Sequence, residues 1–442
     1  MDTTITAKLK LVTTPEQFCQ LRQTQLAYRD ALNQVSHHAF AHGKTSNSQR
    51  LHHDLYDQVR TTHGLPSQMA CSVFRQIGST YKGLWTKWYK NVKARKAGWT
   101  RKRFKGLDKP PHFVSPTVTY VSGRDFTFKA MNQVSINTLS GRLVLPYQGW
   151  NRHVTWMEQQ ATIGGAKLWY DRAKHRFYLL VSLTIPTPDP TPEGLSQVLG
   201  VDLGQRYLAT VTTAGNRARF YSGKQARAKA DHYARVQKRL QRKDTRSATR
   251  RRIAIGQRER RFQLSSNHAI AKHILETYPT SLIGLEELSG IRECTRRRRK
   301  RRKGKQIIPV SPKARRANRH AARWAFAELR GLLTYKANLT GSVCIRVDAD
   351  YTSQCCPRCG HTSRQNRPQH GLRFVCQQCQ FTLHADLVGA RNVCLRTLVV
   401  RQDWRTTGQL SGAPDGTDRE AKAARLQKYA ELRWSLVPSL WL

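Results

Sequence analysis

Acidic residues are scarce in this sequence. It has 28 Asp and Glu against 77 Lys and Arg, a formal net charge of +49. A chain so charged repels itself unless a polyanion neutralises it, so nucleic acid is the expected partner. Long apolar runs are missing too. No span is long and apolar enough to cross a bilayer and no amphipathic anchor stands out, so no membrane partner is expected. Met1-Asp2-Thr3-Thr4-Ile5 lacks a charged n-region and an apolar h-region, which argues against secretion. There is no internal repeat of solenoid length. Core-forming residues are not lacking: 39% of the chain is hydrophobic, which excludes a disordered polycation. A length of 442 residues allows two to four domains. Of ten cysteines, four cluster at metal spacing and the rest are scattered, as befits a reducing cytosol.

Against this basic background three carboxylates stand out. Asp202 lies in Leu199-Gly200-Val201-Asp202-Leu203-Gly204, Glu286 ends Ser281-Leu282-Ile283-Gly284-Leu285-Glu286, and Asp386 opens His384-Ala385-Asp386-Leu387-Val388-Gly389-Ala390-Arg391-Asn392. The first two close apolar runs that read as buried strands. A charge there is costly unless paired or metal-bound. Such acids in a basic chain suggest Mg²⁺ held against a phosphodiester. Two ions about 3.5–4 Å apart can clamp the attacking and leaving oxygens of an in-line displacement. Each acid has a blander reading. Asp202 suits a capped turn, and Asp386 suits a helix N-terminus favoured by the dipole. Glu287 competes with Glu286, but strand alternation would put it on the face of Ile283 and Leu285. Asp348 and Asp350 compete with Asp386, but they lead into a cysteine-bearing loop.

That loop holds Cys356-Pro357-Arg358-Cys359 and Cys376-Gln377-Gln378-Cys379, with sixteen residues between the pairs. Two C-x₂-C knuckles at this separation are a strong signature of one structural Zn²⁺. The alternative is a pair of redox disulfides. Cys355 breaks the spacing and is left out. The segment has too little apolar content to fold alone, so the metal is expected to stabilise it. Cys19, Cys71, Cys294, Cys344 and Cys394 read as small buried or incidental residues.

The organisation follows from periodicity. A strand at 5–11 precedes a helical block from about Pro15 to Val92. Short β-like runs between 117 and 183 suggest a small barrel that the first strand could join, with the helical block inserted. Pro186, Pro188, Pro190 and Pro192 mark a stiff linker. A three-strand meander then carries the first acid, a later strand ends in the second, and a helix after the last strand begins with the third. That order is the order of an RNase H-type α/β fold with helices on both sheet faces. Lys82, Lys87 and Lys90 alternate with aromatics in Tyr81-Lys82-Gly83-Leu84-Trp85-Thr86-Lys87-Trp88-Tyr89-Lys90. They could grip phosphates while rings stack on bases, although buried aromatics on one helix face are the commoner explanation. The basic run Arg296, Arg297, Arg298, Arg299 to Lys303 reads as a phosphate-contacting lid or a solvated loop.

In these residues the chain resembles the TnpB family, transposon-encoded RNA-guided DNA endonucleases ancestral to type V CRISPR effectors. Gly200-Val201-Asp202-Leu203-Gly204, Leu285-Glu286-Glu287-Leu288 and the stretch from His384-Ala385-Asp386 to Asn392-Val393 are similar to its three RuvC motifs. Tyr351-Thr352-Ser353-Gln354, Arg323-Trp324 and Tyr335-Lys336-Ala337 fit as well. Val388-Gly389-Ala390 stands where many members have Asn-Ala-Ala.

The resemblance implies a wedge β-barrel (1–14 and 112–185), a helical recognition insert (15–111) and a linker (186–197). It further implies a RuvC nuclease (198–350 and 382–442) with a zinc-ribbon target-nucleic-acid-binding insert (351–381). The implied partners are a noncoding guide RNA and double-stranded target DNA cut beside a short motif. Asp202, Glu286 and Asp386 would hold two Mg²⁺ ions. Oligomeric state is open, with a monomer favoured. The rival readings are a miniature type V CRISPR effector, a non-cleaving RNA-guided binder, and a transposase acting without RNA.

Overall fold

Alternating polar and apolar residues make β1 (Asp2–Leu11) a strand whose Ala7, Leu9 and Leu11 face inward. In the computed structural model it is the central strand of one of two units, Asp2–Pro186 and Thr187–Leu442. The structure describes residues 2–98, 100–130, 132–159, 161–288, 300–303, 306–309, 311–368, 371–416 and 418–434.

In the first unit β1 is followed by α1 (Pro15–Ala41), α2 (Ser48–His63) and α3 (Ser67–Lys96). A capping box starts α1: Gln17 N donates to Thr14 Oγ1 and Thr14 N to Gln17 Oε1, at 3.3 and 3.0 Å. Helix α2 is hard to see in the sequence because only Leu51, Leu55 and Val59 are buried in an otherwise polar stretch. The chain returns through β2 (Val118–Tyr120), β3 (Phe126–Lys129), β4 (Gln133–Thr138), β5 (Gly141–Gln148), α4 (Asn151–Gln159), β6 (Thr162–Asp171) and β7 (Arg176–Pro186). The sheet order is β2-β6-β7-β1-β5-β4-β3. Its two edge strands are consecutive in sequence and meet at a tight turn, where Ser122 bridges Phe126 and the buried Asp125 accepts from Val121 N. The result is a near-closed barrel joined by β1, with the helices inserted after β1. The short helix α4 has no counterpart in the sequence pattern, because it has no fully buried residue.

The second unit begins with β8 (Gln197–Asp202), β9 (Tyr207–Thr213) and β10 (Ala218–Ser222), an antiparallel meander. Two basic helices follow, α5 (Lys224–Lys243) and α6 (Arg246–Thr277), then β11 (Ser281–Glu286). A hairpin, β12 (Lys300–Lys303) with β13 (Gln306–Pro309), stands where a lid or loop was expected at the end of the basic run. Two helices come next, α7 (Pro312–Arg323) and α8 (Phe326–Asn338). They part at Trp324, whose backbone is extended. Strand β14 (Val343–Val347), the cysteine segment with β15 (Arg373–Val375) and β16 (Thr382–His384), α9 (Ala385–Thr407) and α10 (Arg419–Glu431) complete the described chain.

The sheet runs β10-β9-β8-β11-β14, with β11 parallel to both β8 and β14. Period-2 alternation divides its faces. Leu199, Val201, Ile283 and Leu285 pack with Ala271 and Ile274 of α6 and Leu329 and Leu333 of α8. Val198 and Leu282 pack with Val393 and Cys394 of α9. Gly200 and Gly284 are register partners on that second face. A Cβ on Gly200 would collide with Ala390 O and Cys394 N, and one on Gly284 with the Thr397 hydroxyl. The glycine pair is thus a flat seat on which α9 lies directly on the sheet. No helix among the described residues is long and apolar enough to cross a membrane.

Gly200→Ala should therefore destabilise the 187–442 unit by about 2–3 kcal/mol, since the obstacle is helix backbone that cannot rotate away. Gly331→Ala in α8, where a Cβ meets nothing within 4 Å, should be neutral or gain up to about 1 kcal/mol. Urea unfolding of the two variants beside wild type measures the difference.

Candidate active site and metal centre

The seat of α9 decides where the acids lie. Asp202 is the last residue of β8 and Glu286 the last of β11. Because Val201 pairs with Leu285, the two carboxylates end neighbouring parallel strands on the α9 face. Glu286 is buried, at 6% exposure, and Asp202 is partly exposed. The two carboxyls lie within hydrogen-bonding reach of each other. Burial, then repulsion from Glu286 and Asp386, holds the Asp202 carboxyl well above its ordinary range. Burial raises Glu286 too, opposed by a hydrogen bond from Thr352 and by the nearby Arg396.

Asp386 comes from the first turn of α9, where the helix dipole favours a negative charge. His384 caps that helix, its Nδ1 accepting from Asp386 N at 3.3 Å. Arg367 Nη2 stands 4.0 Å from Asp386 Oδ1. Gly389, one turn along, leaves room for Asp202: a Cβ there would sit 3.2 Å from the Asp202 Cγ. The structure thus brings the three acids to one end of the sheet. Asp202 and Glu286 touch, and Asp386 acts on Asp202 through its charge.

The competing acids are otherwise engaged. Glu287 turns to the side of Leu285, as alternation predicts: Arg346 is the register partner of Leu285, and Arg330 belongs to α8, which covers that face. Glu287 lies beyond the strand end and pairs with Arg346 and Arg330 at 2.5 and 3.4 Å. Asp348 pairs with Arg425 and Asp350 with Lys422, both of α10. Three hard oxygen donors with a raised, mutually repelling pair are a chemical fit for hard divalent cations.

The second cluster is sulfur. Cys356, Cys359, Cys376 and Cys379 bring their Sγ atoms within 4.8 Å of one another. All four are free thiols, and the close contacts run between knuckles: Cys356 to Cys379 at 3.7 Å and Cys359 to Cys376 at 3.5 Å. Zn–S bonds of about 2.3 Å in a tetrahedron put sulfurs roughly 3.8 Å apart, so the cluster suggests a zinc site. Buried Asn366 ties the knuckles together. Its Nδ2 donates to His361 O at 3.1 Å and its Oδ1 accepts from Gln377 N at 2.9 Å. The cluster does not stand alone, because Phe374, Cys356 and Cys376 are buried with Ala385 and Val388 of α9. Cys355 points elsewhere, its Sγ against Gly360 O.

The other candidates divide. Lys82, Lys87 and Lys90 are exposed on α3. Trp85 and Trp88 beside them are half-buried against the core, and only Tyr89, at 63% exposure, is open. Arg296, Arg297, Arg298, Arg299 and Cys294 lie outside the described residues.

Sequence reasoning missed the groups around the acids: Thr352, Asn392, Arg367 and Arg396. One signal was available, since Arg396 sits in the apolar run Val393-Cys394-Leu395-Arg396-Thr397-Leu398-Val399. In the structure it is buried and donates to Asp350 O at 2.7 Å and to Asp348 O.

Two outcomes follow. Carboxyls whose folded pKa is raised stabilise the fold below their unfolded value, about 4, and lose that contribution as pH rises through the folded value. Protein dialysed free of Mg²⁺ should therefore lose stability from about pH 4 toward neutrality. Asp202→Asn, which removes one of the two acids and can place an amide donor toward Glu286, should flatten that slope and raise the neutral-pH Tm; an unchanged Tm–pH curve contradicts the pair. Elemental analysis of Cys376→Ser should show loss of zinc, whereas Cys355→Ser keeps it.

Two family models match the chain. One described as "Probable transposase" (OrfB_IS605) covers residues 180–289, and one described as "Cas12f1-like, TNB domain" covers residues 326–393. The chain is 25% identical over 293 residues to "Putative RNA-guided DNA endonuclease InsQ" of Escherichia coli (strain K12), across 61% of this chain and 66% of that protein. It is 26% identical over 137 residues to the CRISPR-associated endodeoxyribonuclease Cas12f1 of Sulfoacidibacillus thermotolerans, across 30% and 27%. The matches thus span just under two thirds of the first relative and about a quarter of the second. Among solved structures, the mini-RNA-guided endonuclease CRISPR-Cas_phi3 is similar in fold, with a TM-score of 0.51 at 12% identity over 93% of this chain and 94% of that one. By these matches the chain is similar to the TnpB-like proteins of the OrfB_IS605 type over residues 180–289 and to the Cas12f1-like TNB domain over residues 326–393.

Proposed function

We propose that the protein is an RNA-guided DNA endonuclease that cuts with a single RuvC-type site. The observation that carries this reading is the Asp202–Glu286 pair at adjacent strand ends, beneath the N-terminus of the helix that supplies Asp386. The sheet order supports an RNase H-type fold for this unit. In this reading the near-closed barrel is the wedge, α1–α3 are the recognition insert, and residues 351–381 are the target-nucleic-acid-binding insert.

Asp202, Glu286 and Asp386 would hold Mg²⁺. The chemistry that two bound divalent ions supply is activation of a water and stabilisation of the leaving 3′ oxygen. The protein's own groups prepare that site. The glycine seat fixes α9 against the sheet, and with it the position of Asp386. Arg425 and Lys422 of α10 occupy Asp348 and Asp350, so these acids do not compete for cations. Arg367 offers a guanidinium at the rim to an approaching phosphate. The excess of Lys and Arg across both units suits a folded RNA, while guide pairing would supply sequence specificity.

A transposon-end transcript or a repeat–spacer RNA would serve the same chemistry. Sequencing of the copurified RNA separates these sources.

Asp202→Ala, Glu286→Ala and Asp386→Ala should each abolish cutting while guided binding of target DNA stays within a few-fold of wild type, because affinity comes from phosphates and base pairing. Cleavage assays beside gel-shift titrations on the RNA-loaded protein check this. Cutting by Asp386→Ala near the wild-type rate removes that residue from the site.

A further inference from the structure

We infer that the Thr352 hydroxyl is a positioning group for Glu286, set in place by Asn392, so that the lead-in of the cysteine insert forms part of the metal-holding machinery. This rests on the nuclease reading above. Thr352 is buried, at 4% exposure, and its Oγ1 donates to Glu286 Oε1 at 2.6 Å. The other acceptor in its reach is Ala349 O, at 3.1 Å. A hydroxyl has one proton. Directed at Oε1, that proton fixes the plane of the carboxylate and satisfies one lone pair, leaving the others for Asp202 and for a cation.

The backbone of Thr352 is itself pinned. Asn392 Nδ2 donates to Thr352 O at 2.6 Å and to Cys355 O at 2.8 Å. Asn392 is buried in α9, six residues after Asp386 on the same helix. One side chain therefore joins three things: the helix that carries Asp386, the residue that orients Glu286, and the peptide just before the first thiol of the four-cysteine cluster. The link runs from Cys355 through Asn392 and Thr352 to Glu286. An orienting partner behind a metal-binding carboxylate commonly changes metal affinity or activity about 10–100-fold when removed.

Thr352→Val removes the hydroxyl at nearly constant volume, and Thr352→Ser keeps it. The test uses full-length protein copurified with its RNA and two readouts. The first is cutting of a matched duplex across a Mg²⁺ titration. The second is the rise in thermal midpoint across a Mn²⁺ titration, with no substrate present. The expected result is that Thr352→Val needs about tenfold more of either ion for the half-maximal response. Thr352→Ser should stay close to wild type, and zinc content and guided DNA binding should be unchanged in both variants.

Thr352→Val that titrates as wild type in both readouts overturns the inference. So does loss of zinc or of guided binding in Thr352→Val alone, because the hydroxyl would then support the insert and not the acid. If wild type itself neither cuts nor gains thermal stability from either ion, the nuclease reading has failed, and that is visible before any variant is compared.

Discussion

Two carboxylates forced side by side at the ends of neighbouring strands are an electrostatic problem that the rest of the second unit is arranged around. Burial raises both carboxyls, Asp202 further by repulsion from Glu286 and Asp386, and among the described residues neither has a dedicated counter-cation within the sheet. Nearby cations are kept at one remove. Arg396 acts on Glu286 from within α9, but its own hydrogen bonds go to the carbonyls of Asp348 and Asp350. Arg367 lies 4.0 Å from Asp386 and does not close on it. A site built for internal stability would have paired these charges directly, as Glu287 is paired with Arg346 and Arg330. The uncompensated repulsion is a standing cost to the fold, and it is the property that a cation-binding site requires.

Packing brings the third acid to this pair. The register of β8 on β11 aligns Gly200 with Gly284, and the helix laid over them carries Asp386 at its start and Asn392 and Arg396 further along. The same helix packs Ala385 and Val388 against Cys356, Cys376 and Phe374. One element therefore serves the acids and the thiols together. Loss of the thiol cluster would be felt at Glu286 as well as within the insert itself.

Much of this could be read before any coordinates. Strand alternation in Ser281-Leu282-Ile283-Gly284-Leu285-Glu286 sorts the side chains onto two faces, and β11 shows that sorting. The knuckle spacing picks the four cysteines whose thiols converge and leaves out Cys355. Strands β8 and β9, most of the barrel strands and the helices inserted after β1 follow from periodicity because they carry buried apolar residues, whereas β10 buries none. What stayed hidden has no local signature. Helix α4 has no fully buried residue, only Val154 and Met157 partly buried against the core, and α10 buries only Tyr429 and is held through ion pairs to Asp348 and Asp350. The Thr352–Glu286 contact joins residues far apart in sequence, and the motif Tyr351-Thr352-Ser353-Gln354 does not say what the Thr352 hydroxyl touches. The basic run after β11 reads as a loop from charge alone, yet its last residues pair as β12 with β13.

The central claim is that sequence choice belongs to a bound RNA while the chemistry belongs to the three acids. The most direct measurement is to reprogram the guide. The RNA copurified with the protein is sequenced, its 3′ segment is replaced by an unrelated sequence, and the reassembled complex is offered duplexes matching the old and the new segment with Mg²⁺. The account predicts that cutting moves to the new target, keeps the same flanking motif and disappears when RNA is omitted. Cutting that stays at the original site, or site-directed cutting by verified RNA-free protein, would contradict it and favour a nuclease that reads DNA by protein contacts alone.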